Sequence, residues 1–281
     1  MKTPHLILVM GPTAAGKTAY AIALAQRLGT EIVSFDSRQF YKELNIGVAR
    51  PTEAELNQVQ HYFVANRRVT EPYNIYTYSE EAMAVIEKLF ETHEVVVAVG
   101  GSGLYADALT NGVALLPDPS PELRNQLQSL PLEELQKQLQ QLDPETYSRI
   151  DVQNHVRIQR ALEVCITTGQ PYSEVMRQSI KPRPFTFSRE VVTHEAEVLR
   201  ERINSRVDLM MKAGLLEEVE SLLPYRNINT LNTVGYKELF PIVAGEKPMS
   251  DLEQAIEQIK INTWHYAKKQ LTWLRRYEKR G

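Results

Sequence analysis

Apolar residues in the N-terminal third of the chain fall into short continuous runs and longer stretches with helical spacing. The run "HLILVM" precedes a glycine-rich turn and "KTAYAIALAQRLG", in which alanine and leucine recur on one helical face before a closing glycine. A second run, "EIVSF", follows, and helical "SEEAMAVIEKLFETH" leads into "EVVVAVGG". The last run is apolar on both faces, which is typical of an interior strand of a parallel sheet. Strands that alternate with helices predict a doubly wound α/β core.

The pattern changes after residue 115. Residues 116–184 are rich in Pro, Gln and Leu, keep helical spacing and show no strand signal, which returns only at "FTFSREVVTH". We therefore predict a helical insertion over 116–184, within an α/β core formed by 1–115 and 185–281. The C-terminal part of this core is predicted to be mainly helical.

Composition narrows the function classes. With 281 residues and 43% apolar residues, the chain can bury a core and a subdomain. A formal net charge of -3 excludes a uniformly basic nucleic-acid binder, so a local patch would have to hold any nucleic acid. The single cysteine, Cys165, permits no internal disulfide. No signal-peptide cleavage region and no run of about 20 apolar residues is present, so we expect a cytoplasmic protein without a membrane partner.

A phosphate-binding loop is predicted at "GPTAAGKT", directly after the first strand and at the start of the first helix. Gly11, Gly16, Lys17 and Thr18 satisfy the pattern G-x-x-x-x-G-K-[ST]. Backbone N–H groups at the positive helix end would bind phosphates, Lys17 would add a point charge, and the Thr18 hydroxyl would bind Mg²⁺. Sheet and loop together predict an α/β fold of the P-loop NTPase type, a parallel sheet flanked by helices with a helical insertion.

Polar residues follow two further predicted strands. Asp36 ends the second strand, and Ser102 follows the glycines of "VVVAVGG". Both should face the P-loop, because the carboxyl ends of parallel strands border the ligand crevice. Asp36 would accept a proton or lie behind a magnesium-bound water, the alternative being an Asx turn; Ser37 and Gln39 are candidates for bonds to a purine edge. No aspartate ends the strand before Ser102, which argues against nucleotide hydrolysis.

Basic residues recur on three predicted helices. Arg202 and Arg206 share a face and can clamp a pyrophosphate, or pair with nearby acids. The segment 157–160 is a candidate nucleic-acid contact, or a solvated face. Between Lys260 and Arg280, seven Lys or Arg residues oppose one acid and alternate with aromatics. This segment is the best candidate surface for a phosphate backbone, the alternative being aromatics in the core beside a solvated stripe.

Seven motifs occur in order along the whole chain: "GPTAAGKT", "DSRQFY", "GGSGLY", "NHVRIQRALEV", "RINSRVDLMMKAGLLEEV", "GYKEL" and "AKKQLTW". Taken together they resemble the tRNA dimethylallyltransferases, which attach a prenyl group to N6 of the adenosine beside the anticodon. The resemblance implies that the P-loop holds the pyrophosphate of dimethylallyl pyrophosphate, with Mg²⁺. It also implies that the partner is the anticodon stem-loop of tRNA, and we expect the enzyme to be a monomer.

The same resemblance implies a role for each site residue. As catalytic groups, Lys17 and Arg206 would stabilise the leaving pyrophosphate, Asp36 would take a proton from N6, and Ser102, which stands where the family commonly has Thr, would lie near the transfer site. The donor would be bound by Gly11, Thr13, Ala14, Ala15, Gly16, Lys17, Thr18 and Arg202. The tRNA would be contacted by Asp36, Ser37, Arg38, Gln39, Ser102, Arg124, Gln159, Arg160, Ala161, Leu162 and Glu163.

Three other functions are alternatives, and they differ in the residues that they require. A P-loop small-molecule kinase would use Lys17 and Thr18 on ATP and Asp36 as base. An adenylate isopentenyltransferase would act on free AMP or ADP and would need neither the insertion nor the basic helix. A tRNA-binding protein without activity would have lost the P-loop residues or Asp36, and these are present.

Overall fold

The computed structural model describes residues 3–178 and 182–278. The strands are β1 (His5–Met10), β2 (Ile32–Ser34), β3 (His61–Tyr62), β4 (Val95–Val99) and β5 (Thr186–Val191). The helices are α1 (Lys17–Leu28), α2 (Glu53–Leu56), α3 (Ile75–Phe90), α4 (Gly103–Asn111), α5 (Pro121–Ser129), α6 (Leu132–Leu142), α7 (Pro144–Arg149), α8 (His155–Thr168), α9 (Tyr172–Gln178), α10 (Ala196–Lys212), α11 (Leu215–Ser221), α12 (Tyr236–Val243) and α13 (Leu252–Glu278). Short 3₁₀ turns lie at Leu223–Tyr225, Asn229–Leu231 and Met249–Asp251.

The strands form one parallel sheet in the order β3, β2, β4, β1, β5. Leu8 of β1 pairs with Ala98 of β4 on one side and with Arg189 of β5 on the other. The carboxyl ends of β2, β4 and β1 are therefore neighbours, and the segments that follow them meet at one edge of the sheet. This arrangement confirms the predicted α/β fold.

The apolar run of β4 is explained by burial on both faces of the sheet. Val96 and Ala98 belong to one buried cluster and Val97 and Val99 to the other. The second cluster is completed by the apolar face of α1, including Ile22. Alternate side chains of a strand point to opposite faces, so a strand covered on both sides must be apolar at every position.

The chain divides into two compact units, one formed by residues 1–110 and 184–281 and the other by Asn111–Arg183. The predicted insertion spans 116–184, so the second unit begins and ends slightly earlier. That unit has its own core, in which Leu135 and Leu139 of α6 pack with residues of α5 and α8.

The last helix, α13, packs against the P-loop. Ala267 and Trp264 of α13 pack against Ala14 of the loop and Ile203 of α10. α13 has 27 residues, yet neither it nor any other helix in the described ranges combines the length and apolar composition needed to cross a bilayer.

Candidate active site

The loop between β1 and α1 is shaped to bring backbone N–H groups to the start of a helix. Gly16 directly precedes α1 with a φ of 93°, a conformation that side chains disfavour. Gly11 is packed so closely that a Cβ there would lie 2.1 Å from the carbonyl oxygen of Val192. The N-terminus of α1 is thus open to an anion that approaches the carboxyl edge of the sheet.

Lys17 begins α1, and its half-buried side chain lines the loop. Nζ donates a hydrogen bond to the carbonyl oxygen of Pro12 at 2.8 Å. Burial lowers the pKa of Lys17 to about 8; the Asp36 carboxylate opposes this shift and the Arg206 guanidinium adds to it. The three charged groups therefore influence one another within one site.

A cavity of about 570 Å³ opens at this edge of the sheet. Its wall brings together Lys17 and Thr18 of the P-loop, Asp36 after β2, and Arg206 of α10. Ser102 is not in the wall; it immediately precedes α4, where its carbonyl oxygen accepts a hydrogen bond from the Ala106 N–H. The structure thus joins three of the four predicted catalytic residues in one cavity.

Cations outnumber acids in the wall. The basic side chains there are those of Lys17, Arg38, Arg50, Arg206 and Lys237. The acids are Asp36 and Glu55. Burial and the neighbouring Arg202 lower the pKa of Arg206, while Glu55 opposes that change. An excess of crowded cations favours a polyanionic ligand, because a ligand that carries several negative charges relieves their mutual repulsion.

Asp36 is held by a local turn. Its Oδ1 accepts a hydrogen bond from the backbone N–H of Arg38 at 3.1 Å, which is the predicted Asx turn. Its Oδ2 is directed toward the turn after β4, since a Cβ added to Gly101 would lie 3.8 Å from that oxygen. The turn orients the carboxylate, and a catalytic role of Asp36 is compatible with it but stays a prediction.

Two predicted RNA-contacting side chains serve the protein itself. Arg38 Nη1 donates to the carbonyl oxygen of Thr230 at 2.7 Å. Gln39 Nε2 donates to the carbonyl oxygens of Val48 and Ala49 at 3.2 and 3.0 Å. The donor group of Gln39 therefore holds the cavity wall, and a bond between Gln39 and a purine edge stays a prediction. Ser37 lines the cavity.

Several residues of the predicted donor-binding set form hydrogen bonds within the protein. The Thr13 N–H donates to Oε1 of Gln270 at 2.8 Å, so this loop amide is already engaged within the protein. Arg202 Nε donates to the Ala14 carbonyl oxygen at 2.7 Å. A ring nitrogen of His194 hydrogen bonds to the Ala15 carbonyl oxygen at 3.1 Å. These side chains support the shape of the loop.

Glu218 is a site-forming residue that sequence reasoning missed. Its carboxylate accepts hydrogen bonds from the backbone N–H groups of Ile46 and Gly47, at 2.8 and 3.1 Å, and from the Tyr236 hydroxyl at 2.6 Å. It thereby anchors the loop that continues into the cavity wall through Val48 and Ala49. Glu218 and Tyr236 lie in two of the seven motifs, but nothing in either motif indicates the bond that joins them.

In the unit Asn111–Arg183, the side chain of Glu163 binds the polar residues that were predicted to contact RNA. Its side chain, only 5% exposed, pairs with Arg124 at 3.6 Å and Arg160 at 3.1 Å, and Gln159 Nε2 donates to it at 3.1 Å. The side chains of Ala161 and Leu162 are buried in the core of that unit. Both side chains face away from solvent, so a contact of Ala161 or Leu162 with RNA would have to use the backbone, and that contact stays a prediction.

The basic segment of α13 divides its side chains between two roles. Lys260 Nζ lies 2.8 Å from both Asp208 and Glu257, so its charge is balanced. Trp264 packs inward against the P-loop, while the side chains of Lys268 and other cations are exposed. This arrangement agrees with the alternative of packed aromatics beside a solvated stripe, and contact of the exposed cations with a phosphate backbone stays a prediction. Lys279 and Arg280 lie outside the described residues.

The donor atoms of the cavity fit Mg²⁺. The described residues contain no group of three or more His, Cys, Asp or Glu side chains arranged for a metal. Mg²⁺ does not require one, because it retains several waters and binds through one or two protein oxygens together with substrate phosphates. Thr18 and Asp36 supply a hydroxyl and a carboxylate to one wall. This set suits an ion that enters with a pyrophosphate.

Fold and site define a P-loop protein whose cavity combines an excess of basic side chains with a carboxylate. The IPP transferase family model matches residues 39–277. A tRNA dimethylallyltransferase of Flavobacterium johnsoniae is 45% identical over 284 residues, covering 98% of this chain and 91% of that protein. The chain belongs to the IPP transferase family.

Solved structures agree with this assignment. The crystal structure of the full-length tRNA isopentenylpyrophosphate transferase from Bacillus halodurans is similar with a TM-score of 0.70 and 32% identity, covering 98% of this chain and 87% of that one. A eukaryotic dimethylallyltransferase acting on tRNA gives a TM-score of 0.82 at 26% identity, covering 97% of this chain and 70% of that one.

Proposed function

We propose that the protein transfers a dimethylallyl group from dimethylallyl pyrophosphate to N6 of the adenosine beside the tRNA anticodon, with release of pyrophosphate. One observation carries the proposal: Lys17, Arg206 and Asp36 line the same cavity, which supplies cations for a leaving group and a carboxylate for an acceptor. The names of the relatives point to the same reaction.

On the donor side, the allylic C–O bond breaks and its electron pair leaves with pyrophosphate. Lys17, Arg206 and the amides at the start of α1 stabilise the growing negative charge. A Mg²⁺ ion held by the Thr18 hydroxyl would neutralise part of that charge when bound. The repulsion between Lys17 and Arg206 is relieved as negative charge grows on the pyrophosphate. The two side chains therefore bind the transition state more strongly than they bind the donor.

On the acceptor side, the adenine N6 forms the new C–N bond and loses a proton to Asp36. The target base has to leave its stack to enter the cavity, which suits an anticodon loop whose bases can be splayed out. The Asx turn fixes Oδ1 of Asp36 and leaves Oδ2 as the proton acceptor. Gly101 lies beside Oδ2, since a Cβ added there would be 3.8 Å from that oxygen.

A radiolabel assay tests the proposal. Dimethylallyl pyrophosphate labelled in its allyl group would be supplied with Mg²⁺ to unmodified tRNA and, in parallel, to AMP; labelled ATP would be offered separately. We expect label in tRNA alone. Label in AMP alone would identify an adenylate isopentenyltransferase, and turnover of ATP without prenyl transfer would identify a kinase. We place the reaction in the cytoplasm and expect a monomer by light scattering.

Binding of tRNA through phosphates predicts a salt dependence. The logarithm of the affinity should fall linearly with the logarithm of salt concentration, by about 0.7 to 0.9 per neutralised phosphate. Arg124→Gln should reduce that slope by the amount expected for about one phosphate contact, because the exposed guanidinium is lost. The variant should keep its local structure, since Glu163 retains Arg160 and Gln159 as partners.

The matched control is Arg149→Gln. Arg149 lies in the same unit, is 72% exposed and pairs with Glu145 at 2.7 Å. Filter binding over a salt series should give a wild-type slope for this variant. Equal slopes for Arg124→Gln and the wild type would remove Arg124 from the RNA contacts.

A further inference from the structure

Gln270 links two loops at the edge of the sheet. Its Oε1 accepts a hydrogen bond from the Thr13 N–H at 2.8 Å, and its Nε2 donates to the Gly101 carbonyl oxygen at 2.8 Å. Thr13 belongs to the P-loop and Gly101 to the turn that follows β4. Gln270 is 8% exposed and lines the cavity.

We infer that Gln270 is a positioning residue that fixes the distance between the pyrophosphate loop and the turn carrying Gly101 and Ser102. The inference rests on the proposed function, because it assigns these loops to the donor and the acceptor. Gln270 touches neither reacting group in this account and acts through the backbone of the two loops.

The side-chain amide suits this position because it must accept one bond and donate another at once. A glutamate would retain the acceptor but would place a negative charge against the Gly101 carbonyl oxygen. A methionine would keep nearly the same shape and lose both bonds.

The rest of α13 holds the amide in place. Ala267, three residues earlier, is fully buried against Ala14 of the same P-loop. The Gln270 amide also packs closely against Gly101, since a Cβ on Gly101 would lie 2.4 Å from Gln270 Nε2. Neither loop can shift without breaking a bond or a contact.

The inference has a consequence for the donor. With the Thr13 N–H engaged by Gln270, the loop is held in one shape before pyrophosphate arrives, and no binding energy is used to order it. Release of this link would let the cationic loop and the Asp36 side of the cavity move apart, and a displacement of about 1 Å is enough to cost about a hundredfold in rate.

The test compares Gln270→Met and Gln270→Glu with Gln254→Met and Gln254→Glu, because Gln254 is an exposed glutamine on the same helix. Steady-state transfer, calorimetric binding of inorganic pyrophosphate with Mg²⁺, and thermal unfolding are measured for each. Gln270→Met should lose about 10- to 100-fold in kcat/KM and bind pyrophosphate more weakly, while remaining folded at the assay temperature. The Gln254 variants should stay within about twofold of the wild type.

A cycle with Gly101→Ala separates positioning from general stability. The added Cβ should displace the Gln270 amide, so Gly101→Ala and Gln270→Met should impair transfer to similar extents and combine without adding. Additive effects, or a Gln270→Met protein with wild-type kcat/KM and pyrophosphate affinity, would overturn the inference. If the wild type transferred no prenyl group but Gln270→Met still weakened pyrophosphate binding, the positioning role would stand and the proposed function would fail.

Discussion

Asp36→Asn is expected to lower the rate of prenyl transfer by about 10²- to 10⁴-fold, the usual contribution of a positioned base. The amide oxygen of Asn can still accept the hydrogen bond from the Arg38 N–H, so the turn is preserved and only the ability to take a proton is lost. Affinity for tRNA should change by no more than about twofold. Single-turnover transfer and filter binding measure the two quantities separately.

The control is Asp251→Asn, which makes the same chemical change just before α13 and outside the cavity wall. It should leave transfer and binding unchanged. A wild-type rate for Asp36→Asn would exclude Asp36 as the base, and a loss of tRNA affinity equal to the loss of rate would make it a binding residue.

Lys17→Met is expected to lower the rate of transfer by about 10²- to 10³-fold. This is the usual effect of removing one group that stabilises the charge developing in a transition state. The methionine fills similar space, so the loss is electrostatic. Pyrophosphate should also bind more weakly in calorimetry. Lys88→Met, at an exposed position of α3, supplies the control; an active Lys17→Met protein at saturating donor would mean that the P-loop has another task.

The pKa of Lys17 adds a pH dependence to this prediction. Because burial lowers that pKa to about 8, the free enzyme loses the ammonium charge as the pH rises through about 8. The value of kcat/KM for the donor should therefore fall above that pH, since it reports groups of the free enzyme. Lys17→Arg should abolish this high-pH limb, because a guanidinium remains charged.

The parts of the fold that could be predicted are those with a local or periodic signal. The P-loop is contiguous, so its pattern and its flanking strand and helix define it without any distant residue. β4 is recognisable because every position is apolar. By contrast, α2 has four residues and β3 has two, too few for any periodicity, and neither was predicted.

The parts of the site that could not be predicted depend on contacts between distant residues. Gln270 lies 257 positions from Thr13 and 169 from Gly101, and although it belongs to the motif "AKKQLTW", nothing in that motif indicates the bonds to the two loops. For the segment 159–163, buried side chains were not separated from exposed ones. The segment was assigned as a block, whereas a helix divides consecutive residues between its faces, so Ala161 and Leu162 turned to the core while Arg160 did not.

The position of β1 in the sheet affects how the chain emerges from the ribosome. β1 is made early, but its partner β5 follows much later; His5 and Thr186, which pair across them, are 181 positions apart. The contiguous unit Asn111–Arg183 is complete before β5 exists. During its synthesis one edge of β1 carries unpaired backbone groups. The nascent chain is therefore expected to be most prone to aggregation, and most in need of a chaperone, in that interval.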